Sequence, residues 1–119
     1  MNLLHVAASK NAISAVIKAL LHSGIDVDSQ DGTGRTPLQV VTEHSCLRAV
    51  QVLSQNSANL NFQNHYRFGN GWTARFYTIR PKNLRNDNRT IIQTLVMHGA
   101  EIDMRNSKQQ TPLLYAISQ

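Results

Sequence analysis

Gly34-Arg35-Thr36-Pro37-Leu38-Gln39-Val40-Val41 reads as a turn, a helix cap and the start of a short buried helix. Thr36 offers its hydroxyl to the first free N–H groups of a helix. Pro37 suits the first helical position, where its missing donor costs nothing and its φ is already helical. Gly34 gives the preceding turn its backbone freedom, and Leu38 and Val41 follow at helical spacing toward a core. The stretch becomes informative because it recurs. Thr111-Pro112-Leu113-Leu114-Tyr115-Ala116-Ile117 repeats it, and Gly71-Trp72-Thr73-Ala74-Arg75-Phe76-Tyr77-Thr78-Ile79 is a degraded copy. Asn2-Leu3-Leu4-His5-Val6-Ala7-Ala8 is a further copy with Asn2 as its cap, so capping positions 2, 36, 73 and 111 lie 34, 37 and 38 residues apart.

A second element recurs in phase with the first. Leu20-Leu21-His22-Ser23-Gly24-Ile25-Asp26-Val27-Asp28 matches Leu95-Val96-Met97-His98-Gly99-Ala100-Glu101-Ile102-Asp103. Val52-Leu53-Ser54-Gln55-Asn56-Ser57-Ala58-Asn59-Leu60-Asn61 is the divergent version between them. Together the copies resemble an ankyrin-repeat array, whose unit of about 33 residues carries a T-P-L-H-x-A signature. The resemblance implies an all-α solenoid of stacked antiparallel helix pairs joined by β-hairpin-like loops. It spans one domain, 1–119, with repeats at approximately 1–30, 31–63 and 64–106 and a truncated repeat at 107–119. Neither helix of a pair buries its apolar stripe alone; stacking on a neighbour completes the core.

Within the 119 residues there is no apolar run long enough to span a bilayer, and His5, Lys10 and Lys18 interrupt the N-terminal apolar residues that a secretory signal needs. A single cysteine, Cys46, excludes an internal disulfide and suits a reducing compartment, so the expected location is cytoplasm or nucleus. The net charge of +5 has a location too: residues 61–90 hold Arg67, Arg75, Arg80, Lys82, Arg85 and Arg89 against Asp87 alone. Six of the seven aromatic residues fall in the same window, only Tyr115 lying elsewhere.

In chain order, the spacing predicts a first helix over 2–9 and a second over 13–22, ended by Gly24 in a left-handed cap. Ile25-Asp26-Val27-Asp28 is expected to run extended toward a tip around Ser29 to Gly32. The second repeat is expected from Thr36 to about Glu43 and from about Ser45 to Gln55, with Ser57 in the place of Gly24 and Gly99. The link from Asn61 to Thr73 is four residues longer than that from Asp28 to Thr36, so His65-Tyr66-Arg67-Phe68-Gly69-Asn70-Gly71 forms a finger. Ala74 and Arg75 replace proline and leucine, which weakens the third repeat's first helix. An insert, Arg80 to Asn88, precedes its second. Both ends of the chain are apolar where capping repeats are polar. This points to a piece of a longer array, a degenerate gene product, or a protein that is monomeric or self-associates weakly through uncapped ends.

Several motifs invite chemical readings and lose them on inspection. Glu43-His44-Ser45-Cys46 has the residue types of an activated thiol but falls in a helix–helix turn with nothing else converging on it. Gly32-Thr33-Gly34-Arg35-Thr36 lacks the lysine and the upstream glycine of a phosphate loop. His5, His22, His44, His65 and His98 show no metal-ligand spacing. His22 and His98 instead suit helix C-termini. Asn88-Arg89-Thr90 is a glycosylation sequon only outside the cell. Asn61 resembles the asparagine that hydroxylases modify in ankyrin repeats, but Asn59 replaces the usual acid before it. No catalytic residue, cofactor or metal is expected.

What remains is a non-catalytic protein–protein interaction module. The family's variable positions map to Ser9 and Lys10; Thr33, Arg35, Glu43 and His44; Trp72 and Arg80; and Lys108, Gln110 and Ser118. Tyr66, Arg67 and Phe68 of the finger join them as an insertion of this sequence. Aromatics and arginines dominate interface hot spots, and the arginines would steer toward an acidic protein surface. The alternatives are an anionic-ligand or nucleic-acid binder using the basic aromatic patch at 62–89, or a fragment with no independent activity. Nucleic acid is disfavoured because no nucleic-acid fold signature is present.

Overall fold

The computed structural model describes residues 14–65, 71–78, 87–101 and 103–118, and contains six helices among them: α1 (Ser14–His22), α2 (Pro37–Glu43), α3 (Leu47–Gln55), α4 (Ala74–Tyr77), α5 (Asp87–Met97) and α6 (Pro112–Ser118). The helix expected over 2–9 lies outside the described residues. The second helices α1, α3 and α5 stack in a row, α2 packs on α3 within its own pair, and α2 packs on α4 of the next. This is the helix-pair solenoid expected from the repeats.

Local chemistry sets the helix boundaries. Thr36 Oγ1 accepts from Gln39 N at 3.3 Å while Thr36 N donates to Gln39 Oε1 at 3.2 Å, a reciprocal cap ahead of Pro37. At the other ends, Gly24, Ser57 and Gly99 take φ of +94°, +66° and +96°. Ser57 therefore adopts a left-handed conformation that glycine meets without steric cost. Ala58 N then bonds Leu53 O and Ala100 N bonds Leu95 O, closing equivalent helix ends.

The core is a single aliphatic seam running through the stack. Ile17, Val41, Val50, Leu53, Ile91 and Leu95 are fully buried. They come from the apolar stripes of four different helices, so every repeat depends on its neighbour for burial.

Two features differ from the sequence reading. Residues 25–32 do not run extended to a tip at 29–32. Ser29 N bonds Asp26 O in one turn, and the tip proper closes at Asp31–Gly34, with Gly34 N on Asp31 O and Asp31 N on Arg35 O. No strand forms among the described residues; the pairing there is one isolated antiparallel bridge, Asn64 to Trp72.

The third repeat's first helix does form, but as a single turn, with Arg75 where α2 has Leu38. Burial lowers the proton affinity of the Arg75 guanidinium below its ordinary value. Its Nη1 donates to Thr78 Oγ1 at 2.8 Å, while Nε is buried without a hydrogen-bond partner. A half-buried cation with no matching carboxylate among the described residues is poorly compensated. Arg75→Leu restores the apolar residue of the repeat, and we expect it to raise stability by about 1–2 kcal/mol. Urea unfolding checks this; a lowered midpoint would show that the guanidinium is held by something the leucine lacks.

Candidate partner-binding surface

The loop tips form one continuous edge, built three times from the same turn. Asp31 Oδ1 accepts from Thr33 N (2.8 Å) and Arg35 N (3.0 Å), and Asn106 Oδ1 accepts from Lys108 N and Gln110 N, both at 2.9 Å. Gly34 and Gln109 take the positive φ that each turn requires, +79° and +62°. Asn64 and Gly71 are the middle members: Asn64 N bonds Trp72 O at 2.9 Å and Gly71 N bonds Asn64 O at 2.8 Å. Six residues separate Asn64 from Gly71, against two between Asp31 and Gly34. The extra four residues of the finger therefore enter inside this turn.

Asp31, Asn64 and Asn106 are all buried. The sequence reading misses them, although Asp31 and Asn106 each stand five residues before their cap threonine. That shared offset was the available signal.

Neighbouring tips are tied together. Asn64 Nδ2 donates to Thr33 O at 3.1 Å, and Gln63 Nε2 donates to Gly71 O at 3.2 Å and Arg105 O at 2.6 Å. Gln39 Nε2 reaches from α2 to Phe62 O and Trp72 O, each at 3.0 Å. The two ends of the finger are thus anchored to the tips on either side. Gly71 (φ +69°) is required there for a second reason: a Cβ would stand 2.9 Å from the His65 ring and 3.0 Å from Ser107 N.

Among the expected partner-facing residues, Thr33, His44 and Lys108 are exposed, and Arg35, Glu43, Trp72 and Gln110 are half-buried. Arg35 is not a free charge. It pairs with Glu43 through Nη1, lies 3.5 Å from Asp31 Oδ2, and donates from Nε to Thr33 Oγ1 at 3.0 Å. One guanidinium between two carboxylates leaves this tip with no positive surplus. Trp72 is likewise engaged: its ring stacks on Phe76 (5.7 Å) and meets Tyr77 (5.2 Å) and Tyr115 (5.1 Å) edge-on. It clasps the third and fourth repeats, with only part of the ring facing outward. Ser118 ends α6; Ser9, Lys10, Tyr66, Arg67, Phe68 and Arg80 lie outside the described residues.

The basic aromatic window at 62–89 divides into two regions. The finger joins the N-terminal end of α4 and the insert its C-terminal end, so one helical turn separates their roots. At the α2–α3 turn, His44 Nδ1 faces Val40 O at 2.8 Å and Cys46 Sγ donates to His44 O at 3.7 Å. The imidazole and thiol are thus directed at backbone carbonyls, and Cys46 is buried. Among the described residues, no cluster of three or more His, Cys, Asp or Glu could hold a metal ion, and no helix is long and apolar enough to cross a membrane.

The Asp31 turn makes the first tip acid-sensitive. Burial pushes the Asp31 carboxyl up, but hydrogen bonds from the Thr33 hydroxyl and the Arg35 and Thr33 N–H groups, with the Arg35 charge, outweigh it. The net position is below the ordinary 3.8. A depressed carboxylate contributes stability that is present above its unfolded value and lost as pH falls through its lower folded value. We therefore expect amide exchange at Thr33 and Arg35, corrected for intrinsic rate, to quicken only below about pH 4. In Asp31→Asn this extra step should be absent.

The family model for ankyrin repeats (3 copies) matches residues 4–85. The chain belongs to the ankyrin-repeat family. It is 33% identical to the B-cell lymphoma 3 protein homolog of Mus musculus over 116 residues, covering 97% of this chain and 24% of that protein. It is also 31% identical over 118 residues to an ankyrin repeat protein of Fowlpox virus (strain NVSL), covering 98% of this chain and 32% of that one. The crystal structure of the ankyrin repeat domain of Bcl-3, described as a unique member of the IkappaB protein family, superposes with a TM-score of 0.81 at 30% identity. That match covers 96% of this chain and 46% of the Bcl-3 chain. The chain thus spans about a quarter to a third of the length of these relatives. Ankyrin repeats are protein–protein interaction modules, and such proteins are typically not enzymes.

Proposed function

We propose that this ankyrin array acts without catalysis, binding a partner protein along the edge formed by its loop tips and the first helices of its repeats. The observation that carries this reading is the anchoring of the finger. Its root is fixed by Asn64 to the preceding tip and by Gln63 to the following one. The inserted residues are Tyr66, Arg67 and Phe68, types that dominate binding hot spots. A pre-fixed root reduces the ordering cost of binding.

Recognition then divides by chemistry. Tyr66 and Phe68 provide hydrophobic anchors, and Thr33, Lys108 and Gln110 of the described tips and the outward part of Trp72 add to the same contact edge. Because Arg35 is paired with Asp31 and Glu43, attraction toward an acidic surface falls to Arg67 and to Arg80 of the insert. Such a partner would be met in a reducing compartment, cytoplasm or nucleus, where the single buried thiol of Cys46 stays reduced.

The test is affinity capture on nuclease-treated extract with the native chain and with Tyr66→Ala/Arg67→Ala/Phe68→Ala. The expected result is at least one partner whose apparent affinity falls about 100-fold or more in the triple variant, consistent with loss of two hot-spot residues. Unchanged capture by a variant with native circular dichroism would remove the finger from the site. Filter binding to single-stranded nucleic acid over a salt series tests the rival: tight binding with a steep salt slope would favour it.

A further inference from the structure

Arg75 stands on the single turn of α4, where α2 carries Leu38 and α6 carries Leu113. Its Nη1 donates to Thr78 Oγ1 at 2.8 Å, and that hydroxyl donates in turn to Arg75 O at 2.6 Å. Thr78 is buried, so the two bonds hold the guanidinium in one orientation at the C-terminal end of the turn. The finger root enters at the other end of α4.

Fixing Nη1 leaves the other edge of the fork. There Nε and Nη2 present two parallel N–H groups, which a planar carboxylate matches oxygen for oxygen. Nε is buried with no hydrogen-bond partner, and Nη2 has none among the described residues. A carboxylate beside the group would hold its proton affinity up. Burial is instead the one influence on it, and burial lowers it. The stretch around it, residues 61–90, holds six cations and one anion, Asp87.

We propose that the Nε–Nη2 edge of Arg75 binds a single carboxylate, free or on an acidic side chain, with Thr78 as the positioning residue. One guanidinium matches the single charge of a carboxylate, whereas a phosphate, at about −1.5 to −2, is met by arginine clusters. Nη2 is the end that is not closed off, so the first oxygen docks there. A small rotation of the guanidinium then brings Nε to the second. Partial burial thins the water that screens such a pair. The same burial makes Arg75 costly in the free chain, so binding here is set against stability. Where the carboxylate belongs to a protein, this rests on the acidic partner proposed above and names the group that holds it; the free-ligand measurement stands without that partner.

The experiment records the arginine Nε–H resonances of the nitrogen-labelled full chain while acetate replaces chloride at constant ionic strength. The Arg75 signal, identified by its absence in Arg75→Lys, should shift saturably with half-saturation at about 1–50 mM. Acetate at about ten times that concentration should raise the melting temperature by about 4–8 °C. The gain should be below about 1 °C in Arg75→Leu and in Arg75→Lys, which keeps the charge and lacks the fork. Thr78→Val should weaken acetate about fivefold, and Thr78→Ser, which keeps the hydroxyl, should restore it. A blocked tripeptide with a central glutamate separates the sources. Binding at least as tight as acetate assigns the site to an acidic side chain, and no binding assigns it to a free small carboxylate. The proposal is overturned if no saturable shift occurs, or if Arg75→Leu gains as much from acetate as the native chain. Inorganic phosphate binding about tenfold tighter than acetate would overturn the carboxylate assignment. Acetate binding about tenfold tighter in Asp87→Asn would make Asp87 the occupant and overturn it as well.

Discussion

Phe76→Ala should remove about 3–5 kcal/mol of stability, the usual cost of emptying a fully buried aromatic site. Phe76 has no exposed surface, stacks on Trp72 and meets Tyr115 edge-on at 6.1 Å. Native stabilities are about 5–15 kcal/mol, so this one truncation approaches the lower limit of what the fold can lose. The loss should also have a location. α6 is joined to the third repeat through the Trp72–Phe76–Tyr115 cluster, so its amides should lose exchange protection first, while α1 to α3 retain theirs longer. Urea unfolding gives the magnitude and hydrogen exchange the place. A change below about 1 kcal/mol would mean that the cluster is loosely packed and that the aliphatic seam alone holds the fourth repeat.

Gln39→Met is the second large effect, at about 2–3 kcal/mol by summing net hydrogen-bond contributions of about 1 kcal/mol each. Methionine keeps the length and the burial and removes the polar end. Three hydrogen bonds are lost: the return half of the α2 cap to Thr36 N, and the donations to Phe62 O and Trp72 O. Gln39 is 1% exposed, so water cannot readily replace them. The carbonyls it serves lie 23 and 33 residues further along, at the root of the finger. Gln39→Met should therefore loosen the finger root as well as the cap. Thr36→Ala, which breaks the other half of the cap and spares the cross-repeat bonds, should cost about 1 kcal/mol. Equal costs for the two variants would show that the bridge to the next repeat contributes nothing.

Position three of the first helices links each repeat to the next by whichever chemistry its residue carries. Gln39 does so with hydrogen bonds and Phe76 with ring stacking. Leu114, at the same position in α6, is exposed. The sequence reading takes Gln39 for one more helical residue and Trp72 for an outward anchor. Neither residue type declares a direction. A tryptophan before a helix cap faces out or in according to whether aromatic partners stand beside it, and here Tyr115 reaches it from 43 residues downstream.

What the sequence by itself determined is the content of short stretches. Thr36-Pro37 starts a helix, and Gly24, Ser57 and Gly99 end helices with left-handed residues. The spacing of apolar residues selects the buried faces, and the repeat spacing places four extra residues between Asn64 and Gly71. These follow from steric limits on φ and from helical periodicity, both of which act within a few residues of chain. Tertiary structure alone decided which polar groups meet: Gln39 with the finger root, Asp28 and Asn61 with the following repeats, Arg35 between Asp31 and Glu43, and Trp72 inside its aromatic clasp. Hydrogen bonds and ring contacts act over a few ångströms of space, and only stacking brings residues 20 to 40 positions apart within that reach.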